Sequence, residues 1–322
     1  MTSASASRRV RVAEVENVAE GVKRFRLVDA AGGQLPAFSA GSHVIVTMHE
    51  DDGHTHKNAY SLTSSPDDTS AYEIGVLRCV ESRGGSHFMH DRVVAGTELQ
   101  ISEPVNLFPV VRTGRKHILV AGGIGITPFI AMLQELSSRS DDFELHYGVR
   151  SLGRGAFCNA LAETYGDRVK IYREDQGERI PLDKILRGQP LGTHMYVCGP
   201  SPMIEWALGV GRTAGWPHES LHSEKFSAPP PGSAFTVKLA RSGRDIIVGP
   251  QQSILEALEE NGVDPPYLCR GGACGQCETR VVACSDALQH NDDYLTAEEK
   301  ASGKKVMICV SRAAGGVLTL DL

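Results

Sequence analysis

The alternation of apolar and polar positions changes character twice along this chain, and each change predicts a different kind of sheet. From Val10 to about Pro109, short alternating runs such as Val22-Lys23-Arg24-Phe25-Arg26-Leu27, His43 to Met48 and Tyr72 to Leu77 are punctuated by Gly, Pro and Asp. Short strands at regular spacing predict an antiparallel β-barrel. From Lys116 the rhythm is strand and helix in turn. His117-Ile118-Leu119-Val120-Ala121 reads as a buried strand and Thr127 to Ser138 has helical periodicity. A strand at Phe143 to Tyr147, a helix around Phe157 to Thr164, strands at Val169 to Tyr172 and Met195 to Cys198, and a helix after Pro202 continue the pattern. It predicts an α/β doubly wound parallel sheet. Ala228-Pro229-Pro230-Pro231-Gly232-Ser233 then reads as a linker, since its prolines favour extended geometry. Beyond it come a hairpin (Phe235 to Leu239, Asp245 to Val248, turning at Ser242-Gly243), a helix from Ser253 to Glu260, and a glycine-rich cysteine loop.

At 322 residues the chain suits two or three cores rather than one. A net charge of −6 with no basic stripe excludes nucleic acid as the main partner. No run of about 18 apolar residues occurs, so no membrane span is expected. Met1 to Ser7 are small and polar without an apolar signal core, which predicts a frayed terminus on a cytoplasmic protein.

Of eight cysteines, Cys79, Cys158 and Cys198 are scattered, whereas Cys269, Cys274 and Cys277 crowd into nine residues. Cys269-x₄-Cys274-x₂-Cys277, followed by Cys309, has the spacing of plant-type 2Fe–2S clusters. Three thiolates must converge from one loop whose N–H groups also reach the sulfurs, and Gly271, Gly272 and Gly275 remove the β-carbons that would block that approach. Cys309 is expected on an apolar strand, Val306 to Val310. The competing reading is structural zinc, but zinc modules usually use two separated pairs and only one Cys-x₂-Cys exists here. Buried structural cysteine is the plainer alternative, yet three thiols in a glycine-rich loop are poor core formers. Cys284 reads as a spare small hydrophobe.

Ala121-Gly122-Gly123-Ile124-Gly125-Ile126-Thr127-Pro128 joins a buried strand to a helix, where backbone N–H groups and the helix N-terminus suit a pyrophosphate. Any α/β protein can carry such a turn, so a second one matters: Cys198-Gly199-Pro200 also ends a strand, and the two would line one crevice. The absence of Gly-Lys-Ser/Thr excludes a phosphate-cleaving loop. In the barrel, Asn58 and Tyr60 share a strand face with Ser61 opposite, and an aromatic ring there suits stacking on a flavin. Arg83-Gly84-Gly85-Ser86 before a short helix makes a second anion nest. Tyr60 taken alone reads equally well as core. His43, His87, His90 and Asp91 read as ordinary surface or barrel residues.

With these pieces placed, the sequence resembles the phthalate dioxygenase reductase family, which includes vanillate demethylase reductases, from about Val10 to Leu322. The resemblance is carried by Tyr60-Ser61-Leu62, Arg83 to Ser86, Ala121 to Pro128, Cys198 to Pro200, Glu224-Lys225-Phe226 and the four cysteines. It implies a flavin-binding barrel (8–110), an NAD-binding α/β domain (111–227), a linker (228–234) and a β-grasp-like α+β ferredoxin domain (235–322). It implies FMN rather than FAD, NADH and one 2Fe–2S cluster, with electrons passed to a terminal oxygenase of Rieske non-haem iron type. Carried over, Asn58, Ala59, Tyr60, Ser61, Val76, Arg83, Gly84, Gly85 and Ser86 would hold the flavin, and Thr127 would approach it. Gly123, Gly125, Cys198, Gly199 and Pro200 would serve the nucleotide, and Phe226 would cover the flavin ring. Apart from the resemblance, Asp175 after the Val169 to Tyr172 strand suits ribose hydroxyls and so NADH, against which stand Arg150 and Arg154 after the preceding strand as candidates for a nucleotide phosphate. Cys269, Cys274, Cys277 and Cys309 would be the cluster ligands. The family usually has Arg where this chain has Asn58, with Lys57 or Arg78 as candidate substitutes. Cofactor chemistry needs no catalytic side chain. Two rival readings are a reductase of a separate soluble carrier and an iron–sulfur redox sensor or binding module on a degenerate scaffold. The acids Glu256, Glu259, Glu260, Asp292, Asp293, Glu298 and Glu299 form either a solvated face or a steering patch for the partner. That partner is expected at the cysteine loop, on Tyr267 and Arg270.

Overall fold

The computed structural model describes residues 7–226 and 229–322, so the segment before Ser7 and Ala228 of the expected linker lie outside the described residues. Two units emerge, one running to Lys225 and one from Phe226 to Leu322.

The first unit opens with β1 (Arg8–Ala19), β2 (Val22–Asp29), β3 (Ser42–His49), β4 (Thr55–Ser61), β5 (Tyr72–Leu77), helix α1 (Gly85–Asp91), β6 (Glu98–Ile101) and β7 (Val105–Asn106). Their order is β4-β3-β6-β1-β2-β5 with β7 on β3, and every pairing is antiparallel. Leu62 bridges Ile74, and the Thr63 N–H donates to the Glu73 carbonyl at 2.8 Å, so the two outer strands meet and the sheet curls closed. Alternate residues Phe25, Leu27, Val44, Val46, Tyr72, Ile74 and Val76 point inward and fill the barrel.

The same unit continues through β8 (Lys116–Gly122), α2 (Thr127–Ser138), β9 (Phe143–Val149), α3 (Cys158–Tyr165), β10 (Val169–Arg173), α4 (Leu182–Ile185), β11 (Thr193–Cys198), α5 (Ser201–Thr213) and β12 (Leu221–Glu224). The sheet is parallel throughout, in the order β10-β9-β8-β11-β12. Leu119, Ala121, Leu145, Tyr147 and Tyr196 pack under α2 and α3, while Ile118, Val120, Met195 and Val197 pack with Leu182, Ile204 and Ala207 on the other face. Burial on both faces explains the continuous apolar runs of β8 and β11. β12 was not legible, because Leu-His-Ser-Glu carries no apolar run.

The second unit comprises β13 (Phe235–Leu239), β14 (Asp245–Val248), α6 (Ile254–Glu260), β15 (Glu278–Cys284), β16 (Leu288–Gln289), α7 (Ala297–Ser302), β17 (Lys305–Met307), β18 (Arg312–Ala313) and β19 (Val317–Leu320). It is an α+β ferredoxin fold with a mixed sheet, β14-β13-β19-β15-β17. Ser253 caps α6 and exchanges hydrogen bonds with Glu256 at 3.1 and 2.8 Å. One expectation fails: the strand stops at Met307. The N–H groups of Val310 and Ser311 both return to the Met307 carbonyl, so Cys309 sits in a buried turn rather than on a strand. No helix among the described residues is long and apolar enough to cross a membrane.

Candidate functional site

The parallel sheet reverses its strand order between β8 and β11, where ligands bind such sheets. Both glycine turns lie there. Ala121 pairs with Cys198 at the carboxyl ends of these strands, and a β-carbon on Gly125 would collide with the Cys198 carbonyl. Glycine at 125 is therefore what lets the two turns touch. The Tyr147 hydroxyl donates to the Gly123 carbonyl at 3.0 Å, and the space beside Gly123 is open. Pro200 caps α5 and lies against Gly122. The Cys198 thiol is fully buried, and burial, reinforced by Glu224, holds it protonated well above the usual thiol range. Any ligand contact at Cys198 falls to its backbone. Asp175 is exposed just beyond β10, with its N–H on the Arg150 carbonyl at 3.0 Å. Arg154, a candidate for a nucleotide phosphate, is instead paired bidentately with Glu20 of the barrel at 2.7 and 3.2 Å.

The barrel contributes the facing wall. Thr127 opens α2, bonds the Ile124 carbonyl at 3.0 Å and sets its methyl group against Gly75 of β5, where an added β-carbon would stand 2.9 Å away. Asn58 and Tyr60 share a face, and the Asn58 amide donates to the Tyr60 hydroxyl at 3.1 Å. Ala59 is exposed and Ser61 is buried. The Gly84-Gly85 turn sits directly on His56 and Asn58, since β-carbons there would strike those two side chains. The Ser86 hydroxyl accepts from the Cys79 N–H at 3.2 Å and donates to Ser82 at 2.9 Å. The result is a tight glycine turn at the start of α1, next to Arg83 in the chain and packed on β4. Val76 has its side chain in the barrel core and its carbonyl on His90, so only its backbone can meet a flavin. Arg78, a candidate substitute for the missing arginine, pairs with Asp91 at 2.8 Å. His87 bonds the Cys79 carbonyl, and His43 is buried with no partner for either ring nitrogen among the described residues. Burial alone takes His43 down to about 4. Phe226 belongs to the other unit and is 49 % exposed.

In that unit the four cysteines form two pairs. Cys277 and Cys309 stand 3.1 Å apart, and Cys269 and Cys274 hydrogen-bond one another. Among the described residues no three His, Cys, Asp or Glu side chains surround one metal position, so the thiols are not gathered as a single tetrahedral set. Two pairs suit two irons. The Cys274 hydrogen bond, helped by the N–H groups of Gly271 and Ala273, holds the Cys269 thiol below the usual range, and the Gly271 N–H reaches its sulfur at 3.3 Å. Cys277 is lowered by Cys309 in the same way. Gly275 has φ +75° and the Tyr294 ring lies on it, so any side chain there would be both strained and blocked. Donor type, pairing and amide approach all fit a 2Fe–2S cluster. Cys284 packs at the margin of the ferredoxin core.

The expected partner contacts need revision. Arg270 is only 6 % exposed at its side chain, forked onto Glu259 at 2.8 Å through both nitrogens and placed over Tyr267. The acidic stretch is largely consumed internally: Glu256 and Glu299 complete capping boxes, Glu260 binds Gln252, and Asp292 is buried on Ser311 and Leu295. Asp293 and Glu298 are exposed.

Residues 237–314 match the 2Fe-2S iron-sulfur cluster binding domain family, and residues 102–221 match the N-terminal domain family of dimethylamine monooxygenase subunit DmmA-like proteins. The chain is 45 % identical over 313 residues to a carnitine monooxygenase reductase subunit of Acinetobacter baumannii, covering 97 % of this chain and 96 % of the relative. It is 43 % identical over 313 residues to the heme-dependent oxidative N-demethylase beta subunit of Ectopseudomonas mendocina, covering 97 % and 98 %. Among solved structures it resembles phthalate dioxygenase reductase, described as a modular structure for electron transfer from pyridine nucleotides to [2Fe–2S], with TM-score 0.87, 33 % identity and 98 % of each chain covered.

Proposed function

This chain belongs to the phthalate dioxygenase reductase family, and we propose that it is the NADH-dependent reductase component of an oxygenase system. The observation that carries this is the pairing of four thiols for a 2Fe–2S cluster on the same chain as a switch-point crevice whose Thr127 packs on the barrel at Gly75. When bound, FMN couples a two-electron nicotinamide donor to a one-electron cluster.

The residues' own tasks follow. Gly85 and Ser86 offer backbone N–H groups to the flavin phosphate beside Arg83, in a turn that Gly84 closes by donating its N–H to the Ser82 hydroxyl at 3.1 Å. Tyr60 gives the ring an aromatic wall, and Asn58 fixes its hydroxyl. Thr127 sets the crevice edge against the barrel. Gly123, Gly125, Gly199 and Pro200 admit NADH close to backbone, and Asp175 accepts from ribose hydroxyls while repelling a 2′-phosphate. Cys269 and Cys274 hold one iron, Cys277 and Cys309 the other. The partner is a terminal oxygenase of Rieske type. The haem-dependent name of one relative makes a haem oxygenase the outcome to test against.

The test is reconstitution. Purified chain should carry FMN, identified by mass after heat release, and two irons, and should reduce ferricyanide with NADH. Flavin-to-cluster transfer in stopped flow should be independent of enzyme concentration, because the short proline-rich connection tethers the donor to its acceptor. No NADH oxidation by a protein holding both cofactors would favour the sensor reading. A cluster reduction rate proportional to enzyme concentration would overturn the tether.

A further inference from the structure

Arg312 is the largest side chain among the fully buried ones, and it lies three residues past the fourth cluster ligand. Both Nη atoms of its guanidinium are spent on main-chain carbonyls. One Nη donates to Gln252, and the other to Ser233 and Gly249, each at 3.0 Å. Its plane lies over the Phe235 ring at 5.2 Å. These acceptors come from two places: the segment entering β13, and the 249–252 loop leading to α6. The Gly232 N–H joins them by donating to the Pro250 carbonyl at 2.9 Å, and a β-carbon on Gly232 would stand 3.2 Å from Arg312 Nε.

The other end of this cation is the cysteine turn. The Leu255 N–H of α6 holds the Ile308 carbonyl at 2.9 Å, and the buried Ser311 hydroxyl bonds Asp292 and the Asn291 N–H. Cys309 is thus fixed between Ile308 and Ser311, and Arg312 ties the next residue to the point where the chain joins the ferredoxin unit. A planar fork spreads its donors over two terminal nitrogens and so reaches carbonyls on separate segments, whereas the three donors of an ammonium radiate from one atom.

We propose that Arg312 is a positioning residue for Cys309, linking the attachment of the connecting segment to the surroundings of the cluster and lending it a buried positive charge. This rests on the cluster reading above. Two properties follow. The fork holds the turn, so it slows iron loss. The charge favours the more negative reduced cluster, so it raises the reduction potential.

The experiment uses the full-length holoprotein, following chelator-driven iron loss by visible absorbance and the cluster potential by anaerobic titration. Arg312→Gln should lose iron about 10–100-fold faster, the usual range for a supporting residue behind a metal ligand, and should shift the potential negative. Arg312→Lys keeps the charge without the fork, so it should lose iron faster yet hold the potential nearer the parent. NADH–ferricyanide activity should stay at the parental level in both. Gly232→Ala, which presses on Arg312 from the connecting segment, is the milder variant and decides the matter if Arg312→Gln does not fold: a several-fold faster loss is expected. Folded variants with parental iron loss and potential would overturn this inference alone. A parent protein that never holds iron and sulfide would overturn the cluster reading, and this inference with it.

Discussion

The cysteine loop and the nucleotide crevice solve the same problem, bringing backbone close to a redox group, in opposite ways. Three of the four cysteines lie within nine residues, so chain connectivity alone brings them near one another. The crevice instead joins Gly125 to Cys198, residues from turns far apart in sequence that meet only because β8 and β11 are neighbours. A site built by local spacing is written in the sequence; a site built by strand order is not. The first is gathered mostly by its own loop, with Cys309 and Arg312 brought in by the fold, whereas the second depends on the whole sheet.

The sharpest test of that contrast is Cys274→Ser. It should abolish the visible cluster spectrum and the bound iron while leaving flavin-dependent ferricyanide reduction intact. Loss of both activities together would mean that the two sites are not separable. Finding zinc in place of iron would end the electron-transfer account.

The units should also part company in acid. Eleven of the twelve histidines precede Lys225 and only His290 follows it. His43 is taken by burial from 6.5 to about 4, and burial lowers His117, His146, His194 and His222 as well. A histidine depressed in the folded state stabilises fully above its unfolded value, and that stability is lost as pH falls from about 6.5 through 4. For His43 this amounts to on the order of 3 kcal/mol. Denaturant melts should therefore show the reductase unit weakening across this window ahead of the ferredoxin unit. A flat profile from pH 7 to 4.5 would contradict the burial of these rings.

Gly125→Ala probes the crevice itself. The new methyl group must displace the Cys198 backbone, which should destabilise the unit by about 1–3 kcal/mol and raise the KM for NADH. Unchanged stability would show that the two turns do not pack this tightly. The smallest effect is expected at exposed Asp175. Asp175→Ala should narrow the NADH over NADPH preference in kcat/KM by roughly five-fold, equivalent to one exposed hydrogen bond at about 1 kcal/mol. A native preference for NADPH would remove the assignment.

Much of the fold was legible because period is a local property. Thr127–Ser138, Tyr72–Leu77 and the Phe235–Val248 hairpin fall where their patterns place them. Cys309 was misplaced because the apolar run Val306 to Val310 reads as strand, whereas the return of two N–H groups to Met307 is a tertiary choice. Arg270 looked like a contact residue because arginine is usually exposed; its burial follows from Glu259, presented by a helix eleven residues earlier.

The amino-acid order by itself determined the element types, the three-part plan and the cysteine spacing on which the cluster proposal rests, since each depends mostly on residues near one another in the chain. Only the tertiary structure decided which charges are spent. Arg78 on Asp91, Arg154 on Glu20, Arg270 on Glu259 and Arg312 on three carbonyls are pairings across 11 to 134 residues of sequence or between separate loops. A charged side chain looks alike in sequence whether it faces solvent or a partner. Its role is set by the low-dielectric surroundings that folding builds around it, and those are made by residues from everywhere else in the chain.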